Sequence, residues 1–405
     1  MNPVPLVCFP FVGSLLGGSH ISAAGLIRRL DLARYEPLVL VEKPDSAIGA
    51  MFRDLDVAFE QAPATLRLAH GRSVDLVSLG RLVARSPALA RALRRRQVAV
   101  VHSNDGRTAA TWALAARLAG ARLLWHHRGA PDAIGARWAA PVLAHRIVAV
   151  SDYANPRPRL PGGAGCVVVH SPFDTETIHD RAAARAAIIA LLGQQACCTA
   201  ATRFVAFSGA MIDRKRPLRF VEAIAAMRRR APTTDVHGMM FGESIDGMDR
   251  IIVDLAADLG VSDRIHLPGF RKPGAFWLAG CDALLVPAVD EPFGRTLVEA
   301  MLVGTPVVAT ASGGNPEALR RGAIGMLVPP ERPDDLAAGA LQLFDNPEQA
   351  RLVADLARSD ALLRFGEAMH AQTIMAIYDQ LLPARSPPVA SRPADAMPAG
   401  SWVAR

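Results

Sequence analysis

"ALLVPAVDEPFGRTLVEAMLVG", residues 283–304, opens as a short apolar run, breaks at Pro287 and passes through the loop "AVDEP" into an apolar helical pattern starting near Phe293. Strand, loop and helix in that order make up the first part of a βαβ unit. Glu291 then falls at the carboxyl end of the strand, beside the free N–H groups of the first helical turn. Glu299 lies about one and a half turns into the helix.

The same alternation extends in both directions. "VPLVCF" (4–9), "PLVLV" (37–41), "VAVVHS" (98–103), "RLLWHH" (122–127) and "RIVAVS" (146–151) read as buried strands, with helical patterns such as 19–30 and 106–119 between them. A second series follows: "RFVAFSG" (203–209), "VHGMMFG" (236–242), "RIHLPG" (264–269), "ALLVP" (283–287), "PVVAT" (306–310) and "GMLVP" (325–329). Continuous apolar strands separated by helices predict parallel sheets covered on both faces. The expected fold class is therefore α/β, with two tandem doubly wound, Rossmann-like domains facing a cleft. Residues 1–190 are expected to form the first domain and 200–365 the second, with the boundary near 195. Residues 366–383 are expected to form a closing helix, and 384–405, rich in Pro, Ala and Ser, a disordered tail.

Composition narrows the function classes. A chain of 405 residues with 51% hydrophobic and 20% charged residues can bury two cores. No apolar run reaches the roughly 18 residues of a membrane span, and the apolar start lacks the basic region of a signal peptide. The five cysteines (Cys8, Cys166, Cys197, Cys198 and Cys281) have no CxxC spacing, which argues against a disulfide framework and a zinc site and favours the cytoplasm. The net charge of +7 is uneven: residues 1–190 carry 23 Lys+Arg against 14 Asp+Glu (+9), and 191–405 carry 22 against 24 (−2). An anionic partner is expected for the first half. Nucleic acid is disfavoured because aromatics are 5% and no basic–aromatic interleaving occurs.

A helix N-terminus attracts phosphates, and carboxylates accept hydrogen bonds from sugar diols. A diphosphate between two polyols describes a nucleotide-sugar. On spacing alone, a surface glutamate and a cap-region anion account for the pair better. Context separates the readings. The E-x7-E element, "EAMLVGTPVVAT" (299–310), "GGNPE" (313–317) and "GMLVPP" (325–330) occur together over about 70 residues, in an order that resembles the retaining glycosyltransferases of family 4 (glycosyl transferases group 1), which have the GT-B fold. The resemblance implies that Glu299 holds the nucleotide ribose. It also implies that Glu291 holds the donor sugar's hydroxyls, with the amides of Gly294, Arg295, Thr296 and Leu297 near the diphosphate and sugar.

Four further stretches complete the expectation. In "FSGAMIDRKRPLRF" (207–220), a strand ends in a turn carrying Arg214, Lys215 and Arg216, and a lysine there can neutralise a leaving diphosphate. The family shows Gly-Arg and then a lysine six residues after the glycine. Lys215 fits Gly209, but Ala210 stands where the arginine is expected, so either Arg214 or Arg216 compensates or phosphate binding is weaker. In "GSLLGGSH" (13–20), Gly17 and Gly18 match the family's cleft glycines, with a plain βα turn as the alternative. His102, His126 and His127 end predicted strands and face the cleft. His126, His127 or Arg128 is expected at the donor sugar, and Asn104 and Asp105 at the acceptor. In "SPALARALRRRQ" (86–97), Ser86 caps and Pro87 opens a helix whose Arg91, Arg94, Arg95 and Arg96 suit either a solvated face or an anionic membrane surface.

The expected function is transfer of a sugar, with retention, from a nucleoside-diphosphate donor to a saccharide or lipid-linked acceptor hydroxyl. Envelope polysaccharide, lipopolysaccharide or glycolipid synthesis is the expected setting, by a cytoplasmic protein that is peripheral on the inner membrane. No metal and no cofactor are expected. The alternatives are a non-catalytic GT-B partner subunit and a sugar-nucleotide epimerase.

Overall fold

The computed structural model describes residues 3–63, 75–157, 163–193 and 198–382. The expected tail, 384–405, and the boundary near 195 lie outside the described residues. Two parallel sheets organise the chain. The first contains β1 (Leu6–Phe11), β2 (Glu36–Val41), β3 (Glu60–Gln61), β4 (Val98–Ser103), β5 (Arg122–His127), β6 (Arg146–Ala149) and β7 (Cys166–Val168), in the order β3-β2-β1-β4-β5-β6-β7. The second contains β8 (Arg203–Ser208), β9 (Val236–Phe241), β10 (Ile265–Gly269), β11 (Ala283–Val286), β12 (Val307–Thr310) and β13 (Met326–Val328), in the order β10-β9-β8-β11-β12-β13. The short strands β3 and β7 carry no apolar run long enough to be read from sequence.

Both orders reverse direction once, between β1 and β4 and between β8 and β11. Crevices at the carboxyl ends of strands at such reversals are where ligands of open α/β sheets bind. Apart from the arginine-rich segment, the candidate motifs lie at the carboxyl ends of these four strands or of β5, β12 and β13. The helices that follow are placed by local chemistry. Asp105 caps the Gly106–Ala119 helix by accepting from the Thr108 N–H at 2.9 Å, and Gly120, at φ +80°, ends it. The exception is the arginine-rich segment. Ser86 and Pro87 do not open a helix: they lie inside one spanning Leu76–Arg95, capped by Asp75. Proline removes one intrahelical donor, and the preceding Ser86 hydroxyl donates to the Leu82 carbonyl at 2.8 Å.

Each sheet is packed on both faces by apolar side chains. The last helix, Glu367–Leu381, returns to the first sheet. Its Ile374, Met375, Ile377 and Tyr378 are buried among Phe9, Leu26, Tyr35 and Leu124. Both carboxylate oxygens of Glu367 accept from Arg28 at 3.0 Å. The chain is thereby stitched into the first domain at both ends of its described length.

Candidate active site

The loop after β11 is held by a second loop. Gly314 N–H donates to the Glu291 carbonyl at 2.7 Å. Asn315, fully buried, donates through Nδ2 to the Thr310 carbonyl at 3.1 Å. This contact gives the GGN sequence its reason: side chains at 313 and 314 would strike the backbone of residues 291–293.

Glu291 is the centre of a charge cluster. Its Oε2 lies 2.7 Å from Lys215 Nζ and also accepts from Arg214. Burial alone would raise this carboxyl, but Lys215 and Arg214 outweigh it and hold it below the usual range. Lys215 folds back over Gly209, the residue after β8, which takes a conformation (φ +141°) open to glycine. Val289 N–H donates to the Arg214 carbonyl at 3.0 Å, joining the two loops. Arg214 enters the cluster, whereas Arg216 turns away to Asp213 and Glu331.

Arg295–Leu302 forms the helix beyond the loop, with Gly294 at its cap at φ +74°. The N–H groups of Gly294, Arg295 and Thr296 have no acceptor among the described residues, so they are available to an anion. Leu297 differs from the expectation: its N–H donates to the Gly294 carbonyl at 3.1 Å and its side chain is fully buried. Glu299 stands beside Gly274 with its carboxyl raised by burial, against the charges of Arg295 and Lys215.

The Arg295 side chain leaves this helix and crosses to the first domain. It donates to Ser22 Oγ at 2.7 Å and to the Pro172 carbonyl at 3.1 Å, and its guanidinium covers the Phe173 ring at 4.2 Å. Gly18 is where it passes: a Cβ there would stand 2.5 Å from Arg295 Cδ. Ser151 donates to the Pro292 carbonyl, Tyr153 to Asp290 at 2.9 Å, and both Asp152 N–H and His170 Nε2 to Glu317 at 2.7 Å. These contacts hold the cleft closed.

The histidines require a correction. His102 and His126 do not face an open cleft; both are fully buried. His102 joins Tyr378 through Nδ1 at 2.5 Å and His126 through Nε2 at 3.1 Å. His126 also stacks against His370. The cause is the returning helix, which brings Tyr378 and His370 over the strand ends. His127 is 5% exposed and bonded to the Ala130 carbonyl at 2.9 Å. Arg128 is half-buried and reaches Ser171 Oγ at 2.9 Å. Gly17 caps the Gly18–Arg28 helix, its N–H donating to His20 Nδ1 at 3.0 Å. Asn104 is fully buried, and neither of its amide atoms has a partner among the described residues. Sequence reading missed the reach of Arg295, the bridging Glu317 and the pair His370 and Tyr378. Only the "GGNPE" motif carried a signal for any of them.

Residues 202–346 match a family model described as glycosyl transferases group 1. Among curated proteins, the chain is 32% identical over 188 residues to the D-inositol 3-phosphate glycosyltransferase of Thermobispora bispora, covering 44% of each chain. It is 39% identical over 184 residues to the enzyme of that name from Mycolicibacterium gilvum, covering 44% of this chain and 38% of that one. The matched part thus spans less than half the length of these relatives. Among solved structures, HepE of Anabaena, in complex with UDP and glucose, superposes with a TM-score of 0.76 at 20% identity over 93% of this chain and all of that one. A glycosyltransferase from Rickettsia africae superposes with a TM-score of 0.77 at 16% identity, covering 94% and 99%. The chain has the GT-B architecture of these structures, and its second sheet and flanking helices, residues 202–346, carry the sequence pattern of the group 1 glycosyl transferases.

Proposed function

We propose that the protein transfers a sugar from a nucleoside-diphosphate donor to an acceptor hydroxyl, with retention and without a metal ion. The observation that carries this reading is the arrangement at the β8/β11 reversal. Glu291 is pinned by Lys215 and Arg214 at one side of a helix N-terminus with free N–H groups, and Glu299 lies eight residues on. Glu299 would take the ribose diol and Glu291 the donor sugar's hydroxyls. Lys215, Arg214 and the helix N-terminus would steady the negative charge on the departing diphosphate, a role that costs little reorganisation when the donors are already in place. Attack by the acceptor from the first domain on the face the diphosphate leaves would give retention. The contacts across the cleft would then exclude water from the donor.

An envelope glycan or lipid-linked acceptor fits the surface of the Leu76–Arg95 helix. Leu76, Val77, Leu79 and Val83 are exposed along its first half, and Arg91, Arg94, Arg95 and Arg96 follow. Exposed apolar side chains with neighbouring arginines suit an anionic membrane surface. No helix among the described residues is long and apolar enough to cross a membrane.

The test is calorimetric titration with UDP, GDP, ADP, CDP and dTDP, with and without their sugars, on wild type and Glu299→Ala. One nucleotide binding tightly, and losing affinity in the variant, supports the donor site and names the base. Binding that is absent, or unchanged in Glu299→Ala, removes it and favours a non-catalytic partner subunit.

A further inference from the structure

The reversal between β1 and β4 in the first sheet holds a second charged crevice, separate from the Glu291 cluster. Arg107, on the first turn of the Gly106–Ala119 helix, lays its guanidinium against Gly13 in the loop after β1. A Cβ on Gly13 would stand 2.9 Å from it. Arg107 has no hydrogen bond or ion pair from its side chain among the described residues. Arg128, at the end of β5, has no carboxylate within ion-pair distance there either, and its Nε is buried without a partner. Two other buried groups of this crevice are also bare. They are His20 Nε2, whose closest carboxylate oxygen is Asp105 Oδ2 at 3.8 Å, and both amide atoms of Asn104.

Such a concentration needs explaining. Buried polar atoms without partners are rare and costly. The electrostatics agree: burial, and then the neighbouring Arg295 charge, push Arg128 down to about 9. Burial also lowers His20, and Arg107 and Arg128 lower it further. Two carboxylates lie nearby: Asp105 caps the helix through Thr108 N–H and Oγ1, and Glu42 accepts from the Gly13 N–H at 2.7 Å; neither is within ion-pair distance of Arg107 or Arg128. Two guanidiniums that both act on His20, with an unpartnered Asn104 amide next to Asp105 in the chain, suit an oxyanion.

We propose that the acceptor bound at the first sheet carries an oxyanion, a phosphate or a carboxylate, held between Arg107 and Arg128 beside the Asn104 amide. This rests on the glycosyl-transfer reading, in which the first domain holds the acceptor. It assigns Arg128 to the acceptor rather than to the donor sugar.

The experiment is titration of the full chain with inorganic phosphate and, separately, with glucuronate at matched ionic strength. Each titration is run with and without the nucleoside diphosphate that binds best. Wild type, Arg107→Gln and Lys215→Gln are compared, with circular dichroism confirming that each is folded. Arg107 is half-buried at a helix start, so its replacement leaves the cores untouched. The expected result is that one anion binds alongside the nucleotide, weakens at least tenfold in Arg107→Gln and is unchanged in Lys215→Gln. Which anion binds distinguishes a phosphorylated from a uronate-type acceptor. The proposal is overturned if neither anion binds, or if Arg107→Gln binds as wild type does. It is also overturned if the anion competes with the nucleotide and is lost in Lys215→Gln, since the anion would then occupy the donor's diphosphate site. Arg107-dependent anion binding in a protein that binds no nucleotide would keep this site and remove the donor reading.

Discussion

Gly313 lies so close to Glu291 that a Cβ on Gly313 would stand 2.4 Å from the Glu291 carbonyl oxygen and 2.6 Å from its nitrogen. Gly313 is also held at φ +62°, where side chains are strained. Gly313→Ala should therefore push the 291–294 loop away from Lys215. Overpacking of this kind costs about 1–3 kcal/mol, and sugar transfer should fall at least tenfold. Gly304→Ala is the control, because Gly304 has a similar φ of +68° but open space around it. It should lose about 1 kcal/mol from strain alone and keep full activity. Equal activity in the two variants would mean that this close contact does not position Glu291.

The cluster itself predicts a division of kinetic effects. Lys215→Ala removes the cation 2.7 Å from Glu291, with Arg214 still in place. If Lys215 acts on charge that develops as the diphosphate leaves, kcat should fall by about 10²–10³ with a small change in KM. A purely structural lysine would instead lower the melting temperature and leave kcat of the folded fraction near wild type.

The strands were legible because buried parallel strands appear as unbroken apolar runs. The Glu291 loop was legible because its residues are close in sequence, and Lys215 was placed by its distance from Gly209. The contacts that close the cleft were not. Arg295 and Ser22 are 273 residues apart, and His102 and Tyr378 are 276 apart. Nothing in local periodicity states that the last helix returns to the first sheet. Pro87 misled for a different reason: a proline after a serine reads as a helix start, and tertiary packing of Leu82, Leu89 and Leu93 carries the helix through it.

Arg295 predicts a change of shape. Its guanidinium carries three contacts to the first domain, with Ser22, Pro172 and Phe173, and its stem passes close over Gly18. Arg295→Ala should shift the protein towards open arrangements of the two domains, since interfaces of this kind permit relative motion once weakened. Small-angle scattering should show a larger radius of gyration for the variant without ligand. An unchanged scattering curve would assign closure to the Glu317, Ser151 and Tyr153 contacts instead.

The buried histidines predict how stability depends on pH. Burial and the nearby Arg128 charge push His102 and His126 well below their ordinary value, and push His370 to about 3. The groups around them are Tyr378, His127, His170, Arg128 and Arg295. In the unfolded chain each histidine titrates near 6.5. Below that pH the unfolded state takes up protons that the native state refuses, so stability rises with pH through this window. The contribution is fully present above about 6.5 and is lost as pH falls towards the native values. Each histidine adds a slope of about 1.4 kcal/mol per pH unit at most. Urea unfolding between pH 7.5 and 5 should therefore show falling stability, and His370→Gln, which cannot titrate, should flatten the slope. Wild type and variant curves that run parallel across this range would show that His370 does not stay neutral in the folded protein.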